Sequence, residues 1–332
     1  MTEAAGGFTS MNSLLDYGAR LVILENNNKE YPYYNPSLCW DGKLLKMSIR
    51  SCNFTVKRDG TWTLADGGSH ARSRVMLGNL NPDTLELKDI KELKYAKDSP
   101  AEILTSGLED ARIYKRDDGL HFVGVRVHTP NVAQYRPTIA EFILKGDTLH
   151  HIRTLDKPDP ERAEKNWLPT DKPADFDFVY SIKEIYKDNQ TVGDKYTGEI
   201  HGGTPLIKQK DGWVAIMHAK ILNPTFMRVY DKYDYISYFA EFWDTGYLKR
   251  ISKPFKLGSG ENIEFASGLV EYKDDFIISF GIRDGHLGVI KIPKTNMMNL
   301  LEEYGQDKEP ELSRQQQMLL RRRRREIYSQ DR

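Results

Sequence analysis

The stretch EFASGLVEYKDDFIISFGIRD (264–284) reads as a hairpin: a small and polar opening, a short strand, an Asp274-Asp275 tip and a second apolar strand. Aspartate and glycine tolerate the positive φ that tight hairpin turns demand, so the tip has a physical basis. The same grammar recurs in NPSLCWDGKLLKMSIR (35–50), LEDARIYKRDDGLHFVGVRV (108–127), KNWLPTDKPADFDFVYSI (165–182) and GGTPLIKQKDGWVAIMHA (202–219). The tips there are Asp41-Gly42, Asp118-Gly119, Asp175 to Asp177 and Asp211-Gly212. Five unevenly spaced hairpins predict an all-β chain, a five-bladed β-propeller over residues 1–294, with 74–94 and 138–155 supplying outer strands. A β-sandwich with long loops is the alternative. Helical periodicity starts only near residue 295, with Leu300, Leu301 and Tyr304, then Met318, Leu319 and Leu320. Residues 295–332 are therefore expected to form a short helical basic C-terminal tail, carrying the run Arg321 to Arg325. That tail reads as solvated or, alternatively, as a docking arm for an acidic or protein partner.

Composition narrows the function. Of 332 residues, 48 are basic and 48 acidic, so the main domain carries no electrostatic case for nucleic acid. Aromatics make up 11 %, including 18 Tyr and 5 Trp, which suits strands. The two cysteines, Cys39 and Cys52, lie in apolar-alternating stretches and are expected to be buried free thiols rather than a disulfide framework or a zinc site. His150-His151 lacks a third ligand, and GGSH (67–70) lacks the strand–turn–helix context of a nucleophile elbow. No metal and no tightly bound cofactor is expected. Residues 1–10 show neither a basic n-region nor an apolar h-region, and no apolar run approaches membrane length. The expectation is a cytoplasmic protein without signal peptide or membrane span.

In a propeller the first strand of every blade lines the central channel, so the repeat openings should face one pocket. They supply Asn35, Glu109-Asp110, Lys165-Asn166-Trp167, Gly203-Thr204 and Glu264-Phe265. Polar groups beside buried strands are costly unless paired or used. Carboxylates, cations, amides and a Trp ring together suit a sugar, whose hydroxyls need hydrogen bonds and whose apolar face needs a stacking partner.

GLEDAR (107–112) resembles the Glu-Asp-Pro-Arg signature of glycoside hydrolase family 130, five-bladed propellers acting on β-mannosides, mostly as inverting phosphorylases. EKNWLP (164–169), HGGTPLI (201–207), IEFASGL (263–269) and ISFGIRD (278–284) are similar to relatives of that family and of glycosyltransferase family 108. Ala111 stands where the family usually has Pro. The resemblance implies that Asp110 is the general acid, relaying its proton through a sugar hydroxyl. Glu109, Arg112, Asn166, Trp167 and Thr204 then become candidate sugar contacts, with Asn35, Arg50 and Asn53 from the first hairpin and Glu264 and Asp284 from the fifth. Inverting hydrolysis would require a second carboxylate roughly 6.5–9.5 Å from the acid. Phosphorolysis would require cations instead, and Lys165, His218, Arg228, Tyr230 and Arg283 are the candidates to hold phosphate. Inorganic phosphate or a sugar 1-phosphate would be the co-substrate. The readings left open are a phosphorylase or glycosyltransferase for mannose-like β-glycosides, an inverting glycosidase, and a non-catalytic glycan-binding propeller in a larger assembly.

Overall fold

The computed structural model describes residues 11–25, 28, 30–56, 62–65, 71–127, 137–155, 165–172, 174, 176–181, 184–187, 190–192, 200–222 and 233–303. Its regular structure is nearly all strand, and the strands pair antiparallel except for Lys94–Tyr95, which runs parallel to Thr148–Leu155. The β-branched and aromatic runs of the five repeats account for this, since such side chains pack well on a pleated surface.

Each repeat opens a sheet. Tyr33–Asp41 and Leu44–Cys52 form the first hairpin, continued by Ser73–Leu80 and Leu87–Glu92. Leu108–Arg116 and Gly119–Val127 form the second, continued by Pro137–Lys145 and Thr148–Leu155. The third and fourth repeats share one sheet, because Phe178–Ser181 meets Ile200–Gly202 at the pair Ser181 and His201. Gly212–Leu222, Tyr233–Phe242 and Leu248–Ser252 follow in that sheet. The fifth hairpin, Glu264–Tyr272 with Asp275–Ile282, continues into His286–Pro293 and is completed by the early strand Arg20–Leu24. At the fifth tip the positive φ falls on Lys273 (54°), one place before the aspartates.

The chain beyond residue 293 differs from the expected helix. Only Lys294–Met298 is helical, and Leu301–Glu303 is a strand on the edge of Leu248–Ser252. Leu300 and Leu301 pack against the apolar cluster between the fourth and fifth repeats, so their spacing reflects burial and not a helical face. Tyr304, Met318, Leu319, Leu320 and Arg321 to Arg325 lie outside the described residues.

An apolar core separates every two consecutive repeats. Examples are Val75, Ile113 and Phe122 between the first and second, and Leu38, Met47 and Ile277 between the first and fifth. Nearer the repeat openings the strands are stitched by hydrogen bonds instead. Ser267 and Ser279 donate through Oγ to Pro36 O at 2.7 and 2.6 Å, tying the fifth repeat to the first. Ser48 Oγ donates to Ala111 O at 2.8 Å, tying first to second. Arg112 reaches Asn166 Oδ1 (3.1 Å) and Gly203 O (3.2 Å) in the third and fourth. At the tip end, Gln209 Nε2 donates to Glu271 Oε2 at 3.2 Å and links the fourth repeat to the fifth. The ladders slip beside several of these openings, between Tyr34 and Ser37, opposite Glu109 to Arg112, and between Ala266 and Gly268. Such bulges re-aim side chains at sheet rims.

Candidate active site

A cavity of about 690 Å³ opens where the repeat openings meet. Asp110 stands in its wall on strained backbone, with φ 48°, and Asn35 (49°), Asn166 (67°) and Asp284 (49°) share that left-handed conformation. Asn and Asp tolerate it better than other side-chain-bearing residues, and half of the described non-glycine residues that adopt it lie around this cavity.

The Asp110 carboxylate is 5 % exposed and accepts through Oδ1 from Asn35 Nδ2 (2.8 Å) and Arg50 Nη1 (3.1 Å). Burial pushes its pKa up, but Arg50, Lys165, Arg112 and the Asn35 bond outweigh burial and hold it well below the usual carboxylate range. Arg50 also pairs with Glu109 at 3.2 Å, donates to Ser73 Oγ at 3.0 Å, and sits against the Tyr34 and Phe54 rings.

A second wall carries cations and rings: Lys165, Lys220, His201, His218, Tyr180, Tyr233, Tyr235 and Phe265. Neither Lys165 nor Lys220 has a carboxylate partner within ion-pair distance among the described residues. Lys220 Nζ lies 3.7 Å from the centre of the Tyr233 ring, and burial together with the Lys165 charge lowers its pKa. Two ammonium groups on exposed side chains, in mutual electrostatic range and without an ion-pair partner among the described residues, offer charge to an anion entering the cavity. His218 stacks on Tyr235 (5.6 Å) and meets Phe265 edge-on (4.9 Å). Burial first, then His201, Arg112 and Lys165, push its pKa down to about 3, so it serves as a neutral imidazole and not as a cation. Its Nδ1 is buried without a hydrogen-bond partner among the described residues.

The structure thus brings Asn35, Arg50, Glu109, Asp110, Lys165, Asn166, His218 and Asp284 to one cavity. It places six other candidates elsewhere. Arg112 lies behind the wall, donating to Asp110 O at 2.6 Å and holding the third and fourth repeats in register. Trp167 packs on Phe178 in the core between the second and third repeats. Thr204 Oγ1 accepts from Ile216 N, and Asn53 Oδ1 accepts from Arg72 N, so both fix local backbone. Glu264 accepts from the backbone N–H groups of Leu257, Gly258 and Ser259 and holds that loop. Arg283 pairs with Glu261 at 3.1 Å and bonds Asn262. Arg228 and Tyr230 lie outside the described residues.

Phe54, Tyr180, Lys220, Tyr233 and Tyr235 line the cavity without having been legible as candidates. Strand alternation could have exposed three of them. Lys220 is two residues beyond His218, and Tyr233 and Tyr235 share a face of the next strand. Cys39 and Cys52 are buried free thiols. Among the described residues, no group of three or more His, Cys, Asp or Glu is arranged to hold a metal, and no helix is long and apolar enough to cross a membrane.

Neither a protein-family model nor a curated protein matches the sequence. Solved structures do. A β-1,2-mannobiose phosphorylase from Listeria innocua, in complex with β-1,2-mannobiose, superposes with a TM-score of 0.55 at 13 % identity, over 83 % of this chain and 94 % of that one. A mannose phosphorylase from Leishmania mexicana, in complex with phosphate ion, gives 0.51 at 14 % identity over 88 % and 94 %. The chain has the fold of the mannoside phosphorylases. A GDP-Man-dependent mannosyltransferase from Leishmania mexicana is also similar, with a TM-score of 0.51 at 15 % identity over 82 % and 90 %. The mannoside-phosphorylase fold therefore hosts both phosphorylases and a transferase among these neighbours.

Proposed function

We propose that the sheets are the blades of a five-bladed β-propeller and that the axial cavity transfers a mannose-like sugar. It acts as an inverting glycoside phosphorylase or a related glycosyltransferase that uses a sugar 1-phosphate. The observation that carries this reading is the placement of Asp110 and the Lys165–Lys220 pair in the walls of one cavity. The lysines hold the anion that attacks, or leaves, the anomeric carbon. In phosphorolysis a phosphate oxygen bonds to that carbon, the glycosidic C–O bond breaks, and Asp110 returns a proton to the departing sugar oxygen. In synthesis the bond to phosphate breaks, the acceptor hydroxyl attacks, and Asp110 takes its proton.

The ionised state of Asp110 in the unliganded protein is the one that synthesis needs. Phe54, Tyr180, Tyr235 and Phe265 offer ring faces and edges for the sugar. Glu109 and Asp284 are the other carboxylates lining the cavity, and a hydrolase would draw its water-activating base from them. The two lysines on one wall favour an anionic attacker over water. The unit extends through Glu303, whose strand closes the fourth blade's edge.

The test is phosphate release and consumption, with mannose 1-phosphate and a panel of acceptor sugars, on wild type and Asp110→Asn. Phosphate release by wild type alone, with a matching oligosaccharide, supports the reading. Sugar binding without turnover in either protein overturns it in favour of a glycan-binding propeller, and phosphate-independent cleavage in favour of a glycosidase.

A further inference from the structure

Both known contacts to the Asp110 carboxylate, from Asn35 Nδ2 and Arg50 Nη1, end on Oδ1. Oδ2 has no hydrogen-bond partner among the described residues, and the residue lines the cavity. The amide of Asn35 can face an ionised carboxylate only through its Nδ2, because a carboxylate accepts and does not donate. Its other end, Oδ1, lies against Gly281 on the second strand of the fifth repeat. A Cβ on Gly281 would fall well inside van der Waals contact of that oxygen and 2.9 Å from the Asn35 backbone nitrogen. Gly281 has no positive φ, so the close approach, and not backbone conformation, demands glycine there. Asn35 itself sits at the bulge between Tyr34 and Ser37, with a φ of 49°. Three repeats thus converge on one carboxylate oxygen: Gly281 from the fifth, Asn35 and Arg50 from the first, Asp110 from the second.

We propose that Asn35 is a positioning residue for proton transfer: with Arg50 it fixes Oδ1 of Asp110, Gly281 holds Asn35 in place, and Oδ2 alone exchanges the proton with the sugar oxygen. This rests on the reading of Asp110 as the proton-transferring group. A side chain whose carboxylate could rotate would present either oxygen and lose alignment. Misplacement by about 1 Å can cost on the order of 10²-fold in rate.

The experiment is a double-mutant cycle on the full chain, read in kcat and KM with mannose 1-phosphate and the acceptor found active. Asn35→Ala should lower kcat on the order of 10²-fold with the donor KM little changed. Gly281→Ala should lower kcat similarly, and the double variant should lose clearly less than the sum of the two, because both act chiefly through the Asn35 side chain. A rise in donor KM with kcat intact would make Asn35 a plain sugar ligand and overturn the proposal, as would additive losses. Where Gly281→Ala is too unstable to assay, its melting temperature decides. Adding Asn35→Ala should raise that temperature in part, by relieving the side-chain clash while the contact to the Asn35 backbone nitrogen stays, and a further fall would refute the link. If wild type shows no turnover, the reading of the site falls and the inference with it. If wild type is active and Asn35→Ala equally so, the inference alone falls.

Discussion

Asp110 and Glu141 are both buried carboxylates held by arginine, yet they sit in opposite circumstances. Glu141 lies mid-strand in the second sheet. Tyr114 OH donates to its Oε1 at 2.5 Å, Arg153 Nε to its Oε2 at 2.6 Å, and His121 Nδ1 stands 3.5 Å from Oε1. Both its oxygens are satisfied, and although the ladder slips between Glu141 and Phe142 its φ is not positive. Asp110 lies on a bulge with a positive φ, and its bonds crowd onto one oxygen. A fully satisfied carboxylate contributes to stability, while a half-satisfied one on strained backbone leaves an oxygen free for another partner. Glu241, paired through Oε2 with Arg250 Nε at 2.5 Å and through Oε1 with Lys249 at 3.3 Å, repeats the Glu141 pattern in the fourth sheet.

Exchanging the two carboxylates for amides would break or sharpen this contrast. Asp110→Asn should lower turnover on the order of 10³-fold with the melting temperature close to wild type. A large loss of stability instead would put Asp110 in the Glu141 class. Glu141→Gln should do the reverse, costing about 2 kcal/mol of unfolding free energy in urea titrations while kcat stays near wild type. On the anion wall, Lys220→Met should raise the KM for phosphate or sugar phosphate about tenfold without changing the fold, and an unchanged KM would remove that lysine from the site.

The smallest effect concerns pH. Burial raises the Glu141 pKa, but His121, Tyr114 and Arg153 outweigh it and bring it down to about 2, below an unfolded value of about 4.3. A depressed carboxyl contributes stability above its unfolded pKa and loses it as pH falls toward the folded one. The urea midpoint of wild type should therefore drop between about pH 4.5 and 2 more steeply than that of Glu141→Gln. His121 shifts the other way, since Glu141 and Asp118 outweigh its burial and raise its pKa. Its contribution is full below its unfolded value near 6.5 and fades as pH rises through the folded one. His121→Gln should thus lose more stability at pH 5 than at pH 9.

The hairpin grammar made the strands and the order of the sheets legible, because tips and alternation are local signals. The site was legible only in part. The repeat openings were read as blocks of adjacent residues, and adjacent strand residues face opposite ways. Hence Phe265 enters the cavity while Glu264 holds the loop behind it; Asn166, in the irregular segment before Leu168–Pro169, enters the cavity beside Lys165 while Trp167 fills the core. Lys220 and Phe54 stayed hidden because they sit away from any opening, at the far end of Gly212–Leu222 and on the small hairpin of Phe54–Val56 with Trp62–Leu64. That the third and fourth repeats fuse through Ser181 and His201 is a pairing between distant segments, which no local signal encodes.

The strand Arg20–Leu24, made early, finds its partner only in His286–Pro293. At about 5–20 residues per second, a ribosome needs on the order of half a minute to deliver that partner. Until then the N-terminal strand is an unclaimed edge, and the nascent chain must carry it in waiting. Co-translational folding can therefore settle the middle sheets before Arg20–Leu24 and His286–Pro293 pair.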